Sequence, residues 1–297
     1  MKPLVYALVL PVVALGFLPS VAAAQTYALR PNVAEGTTAT FDQVVKDTSE
    51  SRQPDSAGDA VTVTSSSNEH LFGHFKITGQ VAGSPTAMRI TFNSDCAIEE
   101  TETDAPANKE KSPLAGRTLN LAMDANHTYT DDYKGDIDDD TRDELHEFLL
   151  PDADLFPDHP VRIGDFWDTS AKSAADTPLK KGESMRQWCR LDSVKQVNGR
   201  SIAHLTISYA SVTHEDATSL RILQASGTAL VDLDRGAVTD VTLTGTYTVR
   251  DAPPDKADKA DPADASPADI ASGDISGTYD QHVTVTFTDP PASQPAR

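Results

Sequence analysis

The chain has 297 residues, 38% of them hydrophobic and 24% charged, with 25 basic against 45 acidic side chains for a net charge of −20. That length suits one large or two modest domains, and the lack of any second long apolar run excludes a multi-span membrane protein. So acidic a chain repels nucleic-acid phosphates, and two cysteines are too few for a disulfide-stapled mini-domain or a four-cysteine zinc site.

Residues 1–24 read as a secretory signal peptide. Lys2 supplies a positive start, Leu4 to Leu18 is almost wholly apolar, and Ala22-Ala23-Ala24 gives a small-residue cleavage site before Gln25. The apolar run is short for a membrane span, and no cysteine at the cleavage point could carry a lipid. The expected mature protein is a single β-rich domain over 25–289, periplasmic or secreted, followed by a disordered tail, 290–297. Asp outnumbers Glu about three to one, a ratio that suits turns and caps better than helix interiors.

Strands are expected over 37–48, 60–66, 70–81 and 86–98. Within the third, His70 and His74 stand four apart, a metal-ligand spacing on a helix; in a strand they lie about 13 Å apart, too far for one ion. Residues 101–113 are charged and aperiodic and read as unstructured, before another strand at 115–123. Asn126-His127-Thr128 fits a glycosylation sequon, which carries meaning only in a eukaryotic secretory route.

The acidic run 136–147 sets Asp136, Asp138, Asp140, Glu144 and Glu147 at the spacing of a calcium loop. Thr141 stands where that loop needs Gly, and Asp143 where it needs an apolar residue. The competing reading is a helix start: Thr141 and Glu144 form a capping box, Leu145, Phe148 and Leu149 share one face, and Pro151 ends the helix. So short an amphipathic helix needs a surface to lie on. The segment Phe156–Trp167 then delivers a large aromatic through a Gly164-Asp165 turn. Trp167 reads as a core anchor or, with Phe166 and Trp188, as the aromatic lining of a ligand cavity.

Further strands are expected over 185–197, 201–213 and 218–233, with Asn198-Gly199 a strong hairpin signal and Asp234-Arg235-Gly236 a second tight turn. Val241, Leu243, Gly245, Tyr247 and Val249 alternate with polar residues, as do Val283, Val285 and Phe287, so each strand has one apolar and one threonine-rich face. Between them, 251–275 is an Asp-, Ala- and Pro-rich segment read as a disordered insertion. The expected fold is mainly β: a strongly curved antiparallel sheet with one short amphipathic helix packed on it.

Export favours a disulfide between Cys96 and Cys189, worth about 3–5 kcal/mol for a loop of roughly 90 residues. Asp47-Thr48-Ser49 and Asp168-Thr169-Ser170 resemble the paired elements of aspartic proteases, but Ser stands where that motif continues with Gly. Nucleophile elbows, phosphate loops and dinucleotide fingerprints are absent from the sequence, and no cofactor is expected.

The string Pro160-Val161-Arg162-Ile163-Gly164-Asp165-Phe166-Trp167 resembles the PV-x-x-GD-x-W motif of a family of exported bacterial β-rich proteins. Pro113–Leu119 and Gly227–Gly236 are similar to that family's entry into its central strands and to its last hairpin. The likeness spans roughly 60–270, and the family is similar in layout to periplasmic lipoprotein carriers, whose half-barrel sheet encloses helices and an apolar cavity. It implies a fold and a compartment but no catalytic residue. The expected function is non-enzymatic binding of an apolar or amphipathic ligand, or of a protein partner, on the sheet's concave face. The alternatives are an acid-acting hydrolase using Asp47 and Asp168, or a structural protein with a filled core.

Overall fold

A computed structural model of the protein describes residues 25–54, 60–82, 84–103, 105–123, 129–131, 155–170, 183–214, 219–251 and 275–288. The segment expected to be a signal, the acidic run and the helix expected there, the sequon, most of the segment 251–275 and the C-terminal tail lie outside them. Among the described residues the elements are all strands: β1 (Thr38–Pro54), β2 (Ala60–Val81), β3 (Ser84–Phe92), β4 (Ala97–Glu102), β5 (Asn108–Lys111), β6 (Thr118–Met123), β7 (Tyr129–Asp131), β8 (Phe166–Asp168), β9 (Ser184–Val197), β10 (Arg200–His214), β11 (Ser219–Asp232), β12 (Ala237–Asp251) and β13 (Ile275–Thr288).

These strands form one antiparallel sheet in the order β7-β6-β3-β2-β1-β13-β12-β11-β10-β9-β8, with the β4–β5 hairpin branching from β2. Local turns explain much of this order. At the β9–β10 hairpin Asn198 and Gly199 have φ of 51° and 79°, as a two-residue primed turn requires. Gly236 closes the β11–β12 hairpin where a Cβ would come within 2.1 Å of the Arg30 carbonyl oxygen. The sheet's order ends on three-residue strands, β7 and β8.

Period-two alternation buries one face, called the core face below. Beneath β9–β13, Trp167, Leu191, Leu205, Ile207, Val231 and Val241 pack with Leu155 and Phe156. Beneath β1–β3 and β6, Phe41, Leu71, Ile77, Ile90, Phe92 and Leu119 form a second cluster, and Val285 packs against both. Each such side chain, fully buried, contributes about 1.5–3 kcal/mol. The opposite, outer face carries the threonines, although Thr248 is buried there, on the same face as a small cluster of Val212, Leu220 and Ile222.

Several expectations need correction. The strands expected at 60–66 and 70–81 are one 22-residue strand, β2. The strand expected over 86–98 is two, because the chain turns through Asn93–Cys96 and Gly116 donates its N–H to the Asn93 carbonyl. Residues 101–113 are not unstructured: they complete β4 and form β5, whose charged NKEK sequence pays no burial penalty because all four residues are exposed.

Cys96 and Cys189 are both free thiols, not a disulfide. Cys96 belongs to the cluster under β1–β3 and Cys189 to the one under β9–β13. Cysteines in separate clusters are not held at the short Cα separation that a bridge demands.

Candidate functional site

Along β1 the core face runs Ala39, Phe41, Gln43, Val45, Asp47, Ser49. The first three are buried and the last three half-buried, so the strand passes from packed core to polar surface without changing face. Opposite Asp47 and Ser49 on β2 stand Ser67 and Ser65, and opposite those on β4 stand Glu100 and Glu102. These residues, with Ser66, Thr101, Ala105, Pro106 and Asn108, line a cleft of ≈ 360 Å³. The β4–β5 hairpin walls it, pinned to β2 by the 2.6 Å bond between the Ser66 and Thr101 hydroxyls and by the Thr64 N–H donating to Thr103 Oγ1 at 2.8 Å.

Asp47 joins this cleft to a second polar group. Arg221 Nη2 donates to its Oδ2 at 2.5 Å and the Tyr247 hydroxyl donates to its Oδ1 at 2.5 Å. The Arg221 guanidinium lies 4.0 Å from the centre of the Tyr247 ring, close enough for cation–π attraction. Its Nε is buried and has no hydrogen-bond partner. Burial and the neighbouring Asp47 carboxylate push the Tyr247 phenol well above its ordinary 10.0, so the phenol stays a donor.

The path of the tyrosine is cut by a glycine. Tyr247 stands opposite Gly277 of β13, where a Cβ would come within 2.4 Å of the ring Cζ. The ring therefore crosses β13 at the one side-chain size that leaves room. Gly245 and Tyr279 are opposite in the same pairing, so two Gly-Thr-Tyr tripeptides meet antiparallel, each tyrosine facing the other's glycine. Aromatic cover of a strand glycine is a known device for fixing register.

The sequence-derived residues fare differently. Trp167 is buried at 6% exposure with its Nε1–H donating to the Leu155 carbonyl at 2.9 Å. Phe166, its neighbour in an alternating strand, is 69% exposed on the outer face under the Arg190 guanidinium. Trp188 is half-buried and also faces outward, opposite Asp168. The three aromatics therefore do not line one cavity. Asp47 and Asp168 are not brought together either: β13, β12, β11, β10 and β9 intervene in the sheet order, and Asp168 Oδ1 is committed to the N–H and hydroxyl of Ser170. Asp136, Asp138, Asp140 and Glu147 lie outside the described residues, among which no cluster of three or more His, Cys, Asp or Glu residues could hold a metal. His70 bonds Asp42 at 3.2 Å on the outer face, with His74 exposed beyond it.

Arg221 and Glu102 went unnoticed in the sequence, and Tyr247 was read only as part of the apolar face of its strand. The repeated Gly-Thr-Tyr was the available signal for the tyrosine, since two such tripeptides in adjacent strands of a hairpin can pair only a few ways. Nothing local marks Arg221, whose partner is 174 residues away.

No family model matches the chain, and no curated protein matches it. Among solved structures, that of DynF from the dynemicin biosynthesis pathway of Micromonospora chersina is similar at 7% identity, the match covering 92% of this chain and 90% of that one with a TM-score of 0.19. A likeness at that score carries no inference about fold or function.

Proposed function

We propose that the chain is an exported, non-catalytic binding protein that takes a small amphipathic ligand by its cationic, donor-rich end. The observation that carries this reading is the cleft on the core face, lined by three carboxylates, five hydroxyl side chains and one amide at the edge of the apolar core. A net charge of −20 raises the local concentration of cations before any contact forms. The apolar part of the same face is filled by its own side chains, which favours a polar head in the cleft over a wholly apolar ligand. Export rests on the signal-like residues 1–24, and the resemblance to exported β-rich proteins agrees with it.

Strong curvature of the sheet, as in a half-barrel, is part of this reading. On a flat sheet the Cα atoms of Asp47 and Arg221 would lie roughly 20 Å apart, three strands across and four residues along. That exceeds the combined reach of their side chains, yet the two are bonded. Gly227 and Gly245 support the same reading, since a Cβ on either would meet a neighbouring strand's backbone oxygen at 1.8 and 2.4 Å. Interior strand glycines of this kind accompany tight bends.

Calorimetric titration of the full mature protein with spermidine tests the site. Binding that weakens at least about thirtyfold in a Glu100→Gln/Glu102→Gln variant is expected, each of the two lost charge-assisted bonds being worth roughly 1 kcal/mol or more. Absence of binding, or binding indifferent to those carboxylates, overturns the reading. The N-terminus of protein recovered from the periplasm should be Gln25. A protein partner is the second reading, favoured by the exposure of Phe166 and Ile163 at one end of the sheet; retention of a partner by the wild type and its loss in Phe166→Ser would select it.

A further inference from the structure

Both oxygens of Asp47 are occupied by donors from the chain itself, although Asp47 lines the cleft. The guanidinium that takes one of them is held on three sides: by Asp47 Oδ2, by the face of the Tyr247 ring, and by the strand that carries it. Its Nε has no acceptor, so the group is fixed through one end and one face. A carboxylate beside an aromatic face is the pair that recognises a guanidinium or alkylammonium ion in any solvent-reachable setting. The side chains of Arg221 and Asp47 keep 26% and 28% of their surface exposed, so the pair is within reach of solutes.

We propose that Asp47 and the Tyr247 ring form a cation position of the cleft, and that Arg221 is its built-in occupant. An external cation then gains Asp47 only by displacing Arg221, which makes the contact autoinhibitory. The inference deepens the cleft reading and rests on it, because displacement matters only where a ligand enters. Gly277 belongs to the device: it lets the tyrosine ring lie across β13 and present its face to the guanidinium. Ser49, one row along the core face from Asp47, stands opposite Gly277 on the strand beside it.

Chemical rescue separates this role from a purely structural ion pair. Arg221→Ala vacates the position while leaving Asp47 and Tyr247 in place. Methylguanidinium should raise the melting temperature of Arg221→Ala by roughly 2–4 °C at saturation. It should leave the wild type and the Arg221→Ala/Asp47→Asn double variant unmoved. If Arg221→Ala does not fold, the readout becomes its refolding yield with and without methylguanidinium. Absence of rescue, or equal rescue of the double variant, overturns the proposal.

Spermidine titration of Arg221→Met completes the test. Affinity at least fivefold above wild type is expected, and unchanged or weaker affinity in a folded Arg221→Met overturns the autoinhibitory role. Rescue by methylguanidinium without spermidine binding by either protein would overturn the cleft reading and, with it, the displacement step. Spermidine binding without rescue would leave the cleft and remove its internal occupant.

Discussion

Two acids on the core face are held in their neutral forms, and both give the protein an alkaline weakness. Burial pushes the Cys189 thiol from its ordinary 9.0 up to about 12, and Tyr247 also lies above its ordinary value. Between the unfolded and folded values of such a group the native state holds the extra proton. Its contribution is therefore whole below the unfolded value and declines as pH rises through the folded one. For Cys189 the decline is about 1.4 kcal/mol per pH unit from pH 9 to 12. Denaturation midpoints measured across pH 8–11 should fall less steeply in Cys189→Ala than in the wild type; parallel curves would contradict this. The adjacent aromatics should separate equally well by mutation. Trp167→Ala is expected to cost about 3–5 kcal/mol, as for other buried aromatics. Phe166→Ala should stay within about 0.5 kcal/mol, measured by urea unfolding.

At the scale of strands, the tyrosine crossing ties β12 to β1 over β13. Gly277→Ala puts a methyl group where the Tyr247 ring and the Thr48 carbonyl oxygen lie, both at 2.4 Å. Backbone cannot give way as a flexible side chain can, so a loss of about 1–3 kcal/mol is expected. An absorbance titration should also show the Tyr247 phenol ionising at lower pH in that variant, as the ring leaves Asp47. Unchanged stability and titration would mean that the ring does not depend on the glycine. This is also the scale at which the sequence was most legible. Alternation over 241–250 and 283–288 reveals which side of each strand is apolar, and Asn198-Gly199 identifies its hairpin, because both signals are local. β5 escaped because an exposed two-strand ribbon needs no apolar period, and the joining of 60–66 to 70–81 escaped because Ser65-Ser66-Ser67-Asn68 is a polar, turn-like run. At Gly73, farther along β2, a Cβ would meet the Thr91 carbonyl oxygen at 2.1 Å, so the glycine marks close strand contact.

Taken whole, the molecule stores its chemistry at long range. Asp47 was legible as a carboxylate worth testing, but its partners come from β11 and β12, and no spacing rule reaches across 174 and 200 residues. The same distance explains the cysteine expectation: two thiols in a chain expected to be exported suggest a bridge, and only the fold shows that they sit in different clusters. Ellman titration should find two thiols in the denatured, non-reduced protein and almost none reacting in the native state, since Cys96 is 0% and Cys189 is 1% exposed. A mass lower by two hydrogens, or no thiols after denaturation, would restore the bridge.

β2 carries two partners on one edge, β3 along its second half and β4 along Ser65–His70. The β4–β5 hairpin that hangs from this fork supplies much of the cleft wall, yet none of its residues from Ala97 to Lys111 belongs to an apolar cluster. The recognition proposed for the cleft and the stability of the core thus rest on different stretches of chain. A lineage could exchange this hairpin for another, as antibodies exchange loops on a constant frame, and acquire a new ligand while inheriting the same interior.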